Sequence, residues 1–555
     1  MSDLDAIFDL PNLRRAYRWT MSNPDALYKS YFRDSYDAFA IASNTHLKWI
    51  RHEALKERFQ PSHASKILTP KPSGTLRPIT LLTVDDQIVY QACVNVIADA
   101  LKRKTFRRYE KRVFAHLYAG KTSPFFYLQW QRSYRKFTRR IESAYSGGFR
   151  YVANFDLTSF YDSIDHHVLD HFLKNIGIDE DAIAFLLRCL KQWTSSTWSG
   201  PPHNIYHGHG IPQGPLASGM LSEAVLQHLD DAGEQGRRTI YLRYVDDIKI
   251  LAKGEEELRR KLIKLDISAR EIGLFPQTAK INIRRILDPR KEAKSVSRPP
   301  EPSLRPKVDQ KKLIGRILAL TRNGKVHSED TTRFKYVLAH ATPSYHLNSR
   351  LIRVLERHPE LGVSISRYIA GYGKIPNNLA TEIIHYVRGP ELYHSVLGAL
   401  LSACLGKCPP AQTAALGKFS ADRLLRPRKG SIPIQASYKD ALIGWGLSAK
   451  TLTFAEYDEI VSMERDWWIK KGALRELSVG LFGKHSYSDF INRCMRSSAS
   501  EVARVATSKL LSDAVKLTTP YGDVETSAKQ ALKVAGVIRV VGHPNSLINQ
   551  TWPTF

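Results

Sequence analysis

Along the first half of the chain, short apolar runs alternate with segments whose apolar residues recur at helical spacing. Leu76 to Leu82 reads as a strand, and Asp85 to Leu101 as a helix with Asp85 or Asp86 at its cap. Tyr151 to Leu157 is again strand-like, Asp165 to Asn175 helical, and Thr239 to Lys253 a hairpin. This mixture predicts an α+β domain. Further on the pattern is helical throughout. LNSRLIRVLERHPELGVSISRYIAGYG from Leu347 and LATEIIHYVRGPELYHSVLGALLSACLG from Leu379 share one plan, two amphipathic helices around a Gly or Pro break. That plan suits an all-α domain, either a helical-repeat array of HEAT type or an irregular bundle. Between the halves, Asp288 to Lys307 holds five prolines and no apolar period. The expected division is therefore 1–290, a Pro-rich basic linker over 291–308, and a helical region over 309–555.

Composition narrows the partner. Of 555 residues, 43% are hydrophobic, which is ample for large cores and excludes global disorder. Lysine and arginine number 82 against 54 acids, a net charge of +28, and a surplus of that size points to a polyanion. Lys102 to Arg150 alone carries +12 and interleaves Phe106, Tyr109, Phe125, Phe126, Tyr127, Trp130, Tyr134 and Phe137, a mix that suits phosphate neutralisation with base stacking. Five scattered cysteines without CxxC pairs argue against a disulfide framework and a structural zinc site. No run of 18 apolar residues occurs, and MSDLDAIFDLPNLRR lacks an apolar segment, so a cytoplasmic protein with no membrane partner is expected.

The sharpest local feature is YLRYVDDIKILA, Tyr241 to Ala252, a hairpin pattern that presents Asp246 and Asp247 at its tip. In YVANFDLTSFYDSIDHHVL a strand delivers Asp156 at its end. Three carboxylates on neighbouring strand ends can hold two Mg²⁺ ions, hard cations that prefer oxygen ligands. Such a pair stabilises both the attacking and the leaving oxygen of an in-line displacement, which is nucleotidyl transfer chemistry. Between these segments, GHGIPQGPLASGMLSEAVLQHL runs from a Gly/Pro loop into a long helix expected to be amphipathic. Upstream, ILTPKPSGTLRPITLLTVDDQIVYQA sets Lys71 and Arg77 on either side of a turn, where two cations could grip a triphosphate.

In this order, the motifs resemble the fingers and palm of reverse transcriptases. KPSGTLRPITLLTVDDQIVYQA is similar to the fingers motifs, NFDLTSFYDSID to motif A, GIPQGPLAS to motif B, YVDD to motif C and GLFPQTAKI to motif D, over about residues 60 to 290. The resemblance implies a right-hand polymerase fold and RNA-directed DNA polymerase activity, a nucleotidyltransferase acting on dNTPs with RNA and DNA as partners. It implies that Asp156, Asp246, Asp247 and the carbonyl of Leu157 hold two Mg²⁺ ions, with Mn²⁺ as a substitute. Lys71 and Arg77 would contact the triphosphate, and Tyr161 would lie under the sugar and exclude a 2′-hydroxyl. Gln213 and Gly214, with Ser218, would line the nucleotide site. Lys280 would protonate the leaving pyrophosphate, although Gln277-Thr278-Ala279-Lys280 departs from the more usual Asn-x-x-Lys-Thr.

A palm followed by a basic helical region resembles the abortive-infection and other defence-associated reverse transcriptases of bacteria, with HPELGVSISRYI around His358 as the most suggestive stretch of that region. This likeness implies antiphage defence, DNA synthesis without an ordinary template or primer, priming from a protein hydroxyl, a non-coding RNA partner and homo-oligomers. The alternatives are a retroelement enzyme of retron or group II intron type, an RNA-dependent RNA polymerase disfavoured by Tyr161, and a catalytically silent nucleic-acid-binding scaffold. Other features are weaker. His203, His207 and His209 read as loop surface, and His167 and His171 lack the glutamate of HExxH. Arg353 and His358 have the spacing of an R-x4-H ribonuclease motif, but Pro359 ends the helix next to it; Arg423, Arg426, Arg428 and Lys429 face either nucleic acid or water; Trp467 and Trp468 read as core.

Overall fold

In the computed structural model of the protein, the structure describes residues 2–22, 26–195, 208–234, 236–293, 309–426, 433–513 and 524–535. Most of the expected linker, with His203, His207, Arg428 and Lys429, lies outside the described residues. Two compact units emerge: Met1–Arg33 with Asn44–Ala64 and Thr80–Ser295, and Asp34–Ser43 with Ser65–Ile79 and Val296–Phe555. Thus the second unit takes in two segments from the first 80 residues, which local sequence pattern does not reveal.

The first unit is built around a four-stranded antiparallel sheet. Numbering strands along the chain, β1 is Ser65–Pro70, β2 Leu76–Leu81, β3 Tyr151–Phe155, β4 Thr239–Tyr244, β5 Asp247–Ala252 and β6 Arg284–Arg285. The sheet order is β4-β5-β3-β6. Because side chains alternate along a strand, Val152, Ile240, Leu242 and Leu251 share a core with Phe114, Phe137 and Ile141, the last two from helix Trp130–Ser146. The opposite set, including Ala153, Phe155, Tyr241, Ile248 and Ile250, is equally buried. Each of β4 and β5 carries one charged residue inside this apolar frame, Arg243 and Lys249, and both are paired: Lys249 bonds Asn154 at 2.9 Å and forms an ion pair with Glu292.

Helix Val84–Thr105 is buried on nearly every side, polar residues such as Gln91 and Asn95 included, and packs against helices Leu10–Met21 and Leu216–Ala232. Its cap is Thr83, whose hydroxyl accepts from the Asp86 amide at 3.2 Å, rather than Asp85 or Asp86, which occupy the first turn. Helix Leu216–Ala232 is also buried along almost its whole length and is not amphipathic, because helices Val84–Thr105, His166–Asn175 and Glu255–Glu271 surround it. The basic stretch from Lys102 is helical only in part. In Trp130–Ser146, Phe137, Ile141 and Ala144 face the core while Arg132, Arg135, Arg139 and Arg140 are exposed.

In the second unit the expected pairs appear as helices Asn348–Arg357 and Gly362–Ala370, then Asn377–Val387 and His394–Cys404. Much of the packing joins alternate helices, and the consecutive helices Pro410–Leu425 and Ala436–Ser448 also pack on each other. Gly362–Ala370 lies on His394–Cys404, and that on Ala436–Ser448; Asn348–Arg357 lies on Asn377–Val387, and that on Pro410–Leu425. One continuous core, including Leu351, Leu355, Ile365, Leu379, Leu400 and Trp445, joins them. Segment Asp34–Ser43 is tied in by buried charge, Lys471 donating to Asp34 at 2.6 Å. Burial raises the Asp34 pKa, but Lys471 and Arg475 outweigh it and the carboxyl is held below its ordinary value. Trp467 and Trp468 are buried, as their pattern suggested. His358 accepts from the Val326 amide at 3.1 Å and contacts Glu360 at 3.1 Å. No helix among the described residues is long and apolar enough to cross a membrane.

Candidate active site

Strands β4 and β5 end on the pair Tyr244 and Asp247, so Val245 and Asp246 form a two-residue turn. Val245 has φ +59°, a conformation that a β-branched residue adopts only under strain of about 1–3 kcal/mol. Tight hairpin turns require positive φ at this position to match strand twist. On the other edge of β5, the last β3 pair is Phe155 with Ile248. One step further, the antiparallel register brings Asp156 beside Asp247, at a strand spacing of about 4.8 Å.

A third segment closes on Asp156. The Gln277 amide donates to the Asp156 carbonyl at 2.8 Å, the Thr158 amide donates to the Phe275 carbonyl at 2.9 Å, and Leu157 bridges Pro276. The following turn, Thr278–Lys280, carries the Lys280 ammonium to 2.5 Å from the Asp156 carboxylate. Asp247 keeps contact with solvent, yet its carboxyl is pushed up to about 6, first by partial desolvation and then by Asp246 and Asp156; Lys280 and Lys249 oppose this. Two further carboxylates thus bear on Asp247, and Lys280 and Lys249 offset them only in part.

Three carboxylates and the Leu157 carbonyl are the hard oxygen donors that suit a divalent cation. Among the described residues, no three His, Cys, Asp or Glu side chains stand as a ready-made metal-ligand set. Positive charge at Asp156 is supplied instead by Lys280. The donor chemistry and the raised Asp247 carboxyl fit a cation, with Lys280 as its competitor at Asp156.

Motif A and the loop before helix Leu216–Ala232 are knitted together. The Ile211 amide donates to the Tyr161 carbonyl at 2.8 Å and the Gly210 amide to the Ile164 carbonyl at 2.7 Å, with Gly210 at φ +94°. Gln213 is half-buried and donates to Asp162 at 3.2 Å, and Gly214 is exposed at φ +125°, a conformation open to glycine. The Ser218 hydroxyl is buried and donates to the Tyr90 hydroxyl at 3.1 Å, so it does not face an open site. Tyr161 is bonded to Ser222; burial pushes its hydroxyl up, and Asp246 and Glu223 add to this. Tyr161 and Asp246 are therefore neighbours. Lys71 and Arg77 stand on the β1–β2 hairpin of the second unit, whose turn is closed by Lys71 N to Thr75 O at 2.7 Å. Both are at least partly exposed to solvent.

Sequence reading missed the charge system beneath the turn. Arg243, wholly buried, donates to Glu223 at 2.7 and 3.0 Å and to Asp230 at 2.7 and 2.8 Å. Its remaining contact is the carbonyl of the strained Val245, at 3.0 Å. Tyr241 donates to Asp230 at 3.0 Å, and His116 stands 3.6 Å from Glu223. Burial would raise the Glu223 pKa, but Arg243 and His116 prevail and hold it below its ordinary value. The signal was present: a lone arginine within the apolar run of YLRYV, and two acids seven residues apart on one face of an otherwise apolar helix.

Residues 69–318 match the family described as reverse transcriptase (RNA-dependent DNA polymerase). This segment is a reverse transcriptase domain, the catalytic module of an RNA-directed DNA polymerase and so of a nucleotidyltransferase. No curated protein matches the chain. Among solved structures, apo telomerase from Candida tropicalis truncated from its C-terminal domain aligns at 13% identity and TM-score 0.30, over 41% of this chain and 51% of that one. Telomerase from Candida albicans with a TWJ fragment of telomeric RNA aligns at 11% identity and TM-score 0.33, over 74% and 70%. A partial Cas6-RT-Cas1–Cas2 complex aligns at 17% identity and TM-score 0.27, over 49% and 43%. The chain thus spans about half the length of the first of these structures.

Proposed function

We propose that the chain is an RNA-directed DNA polymerase whose centre is Asp156, Asp246 and Asp247. The observation that carries this reading is the register that sets Asp156 beside Asp247 at the tip of the β4–β5 hairpin, with the carboxyl of Asp247 pushed up to about 6 by its surroundings. With the Leu157 carbonyl, these side chains would hold two divalent cations, Mg²⁺ or Mn²⁺. Such ions lower the barrier to attack of a 3′-hydroxyl on the α-phosphate of a dNTP by neutralising charge on the attacking and leaving oxygens.

The remaining roles belong to the chain's own groups. Tyr161, beside Asp246, lies under the sugar and selects the deoxy form. Gln213 and Gly214 line the nucleotide site, Gln213 being held by Asp162. Lys280 balances Asp156 in the resting protein and protonates the departing pyrophosphate. Lys71 and Arg77 contact the triphosphate. Residues 1–290 are read as fingers and palm, and 309–555 as a helical, HEAT-like domain in place of a thumb, a reading supported by two rows of alternate helices that pack on one another.

The proposed setting is antiphage defence, supported by the resemblance of a palm joined to a basic helical region. Protein priming, a non-coding RNA partner and a homo-oligomeric form belong to the same reading. The test is incubation with Mg²⁺ and labelled dNTPs without primer, products being resolved before and after proteinase treatment. Label that depends on Asp246 and Asp247 and shifts on proteolysis is the expected result; extension only from a supplied primer would move the assignment to a retroelement enzyme. A second reading, a nucleic-acid-binding scaffold without synthesis, draws on the Lys280 to Asp156 pair. It predicts that neither dNTPs nor rNTPs are incorporated, with or without primer.

A further inference from the structure

The end of the sheet remote from the catalytic turn is also built for anions. Thr239 pairs with Ala252, Ala252 with Tyr151 and Tyr151 with Arg285, so one row crosses all four strands, a width of about 14 Å. Each strand has a cation at or next to this row: Arg238 before β4, Lys253 after β5 and Arg150 before β3 on one face, and Arg285 in β6, paired with Tyr151, on the other. Main-chain bonds fix three of them in line, Lys253 N to Arg238 O at 3.1 Å and Arg150 N to Ala252 O at 3.0 Å. Two cations rest on aromatic rings, Arg150 over Tyr145 at 4.1 Å and Lys253 over Phe149 at 5.5 Å.

Beside this row opens a groove of about 440 Å³, lined by Gly236, Arg237, Arg238, Thr239 and one face of helix Glu255–Glu271: Glu257, Arg260, Lys261 and Lys264. Five of these side chains are cationic. Glu257 pairs with Arg238 at 2.5 Å, and Arg260 pairs with Glu256. Arg237 and Lys264 are exposed and have no ion-pair partner among the described residues. Lys261 shapes the floor by donating to the Glu234 carbonyl at 2.6 Å and the Ala232 carbonyl at 3.2 Å. Its pKa is lowered, first by burial and then by Lys264. Crowding like charges around a concave surface opposes folding, and an arriving polyanion relieves that repulsion.

We infer that this groove and cation row form a second nucleic-acid track, which holds the phosphate backbone of a single strand about 17 Å along β4 from the catalytic turn. On one face the cations recur on the three neighbouring strands β4, β5 and β3, as a chain of phosphates requires. Nucleic acid, rather than another polyanion, rests on the reading of the chain as a polymerase. The track keeps hold of template or product while its end is in the site.

The test is the triple variant Arg237→Ala, Arg260→Ala, Lys264→Ala in the full chain, three exposed changes outside the catalytic constellation. Binding of a short labelled single-stranded oligonucleotide is measured against salt, beside dNTP incorporation from a short primer-template. Each phosphate contact contributes about 0.7 to the slope of log affinity against log salt, so the variant slope should flatten by about 2, with incorporation from the short substrate retained. An unchanged slope in a variant that still incorporates dNTPs overturns the track and leaves the polymerase standing. A flattened slope in a protein that never incorporates nucleotides keeps the track and removes the polymerase. Displacement of the oligonucleotide by inorganic tripolyphosphate at equal charge would assign the groove to nucleotide phosphates and overturn the strand.

Discussion

Arg243→Met removes the cation from beneath the catalytic turn and leaves Glu223 and Asp230 facing each other in a buried space. The wild-type guanidinium satisfies both carboxylates with four bonds of 2.7 to 3.0 Å and has no contact with water. Breaking a buried pair from one side costs about 3–5 kcal/mol, since the partner charges stay desolvated. Asp230 keeps Arg108 at 3.8 Å and the Tyr241 hydroxyl, and Glu223 keeps His116 at 3.6 Å, so the loss should stay within that range. For a unit of this size the midpoint should fall by about 6 to 20 °C in calorimetry. The triple change Arg243→Met, Glu223→Gln, Asp230→Asn removes the charges together and should recover most of the loss, because a neutral, similarly shaped cluster carries no stranded ion. Turn geometry separates the two effects: both variants lose the bond to the Val245 carbonyl, so kcat should stay at least tenfold down in the stabilised triple variant while KM for dNTP changes little. A triple variant as unstable as the single one would refute the electrostatic account in favour of lost packing. Full kcat in the triple variant would show that Arg243 does not position the turn.

Asp247 titrates at about 6 when folded, above its unfolded value, so the folded state binds the proton more tightly. Its contribution therefore falls as pH rises through that window, and Asp247→Asn should raise the thermal midpoint at pH 7 to 8 with the gain gone below pH 4; equal gains at both pH values would contradict the repulsion. Tyr161→Ala should let rNTPs compete, lowering the dNTP over rNTP ratio of kcat/KM by about 10- to 100-fold, a loss of about 1–3 kcal/mol in discrimination; an unchanged ratio would remove the sugar-gate role. Lys280→Met should lower kcat by about 100-fold with KM for dNTP nearly constant, and steady-state kinetics that show only a raised KM would reassign Lys280 to binding. Thr83→Ala should destabilise the first unit by about 1 kcal/mol in urea unfolding, and no change would mean that the helix start is held by packing alone.

Apolar runs predicted β3, β4 and β5, and helical periodicity the helix pairs of the second unit, because those segments bury their own side chains; β6, the pair Arg284–Arg285, carries no such run. Helix Leu216–Ala232 misled because neighbours on all sides bury polar residues such as Ser218, Ser222, Glu223 and Asp230 along with the apolar ones, and local pattern reads those polar positions as a solvent face. The hairpin that carries Asp246 and Asp247 was legible from the flanking runs of YLRYVDDIKILA, although the turn itself is Val245 and Asp246, and Asp247 already begins β5. That Asp156 lies beside Asp247 depends on a pairing across 90 intervening residues, which resemblance supplied and local pattern could not. The inclusion of Asp34–Ser43 in the second unit rests on the bond between Asp34 and Lys471 and on the Arg504 guanidinium over the Phe39 ring at 5.3 Å, contacts more than 400 residues apart in the chain. Lys280 illustrates a further limit: its motif identified a basic side chain near the site, but only the fold shows it engaged with Asp156.

The most direct test of the central claim is extension of a DNA primer on an RNA template with Mg²⁺ and dNTPs, comparing the wild-type chain with Asp246→Asn, Asp247→Asn. The account predicts template-complementary DNA from the wild type and none from the variant, with both proteins equally folded. DNA synthesis of equal yield from the two proteins would contradict it, because the carboxylates at the hairpin tip would then not be the catalytic centre.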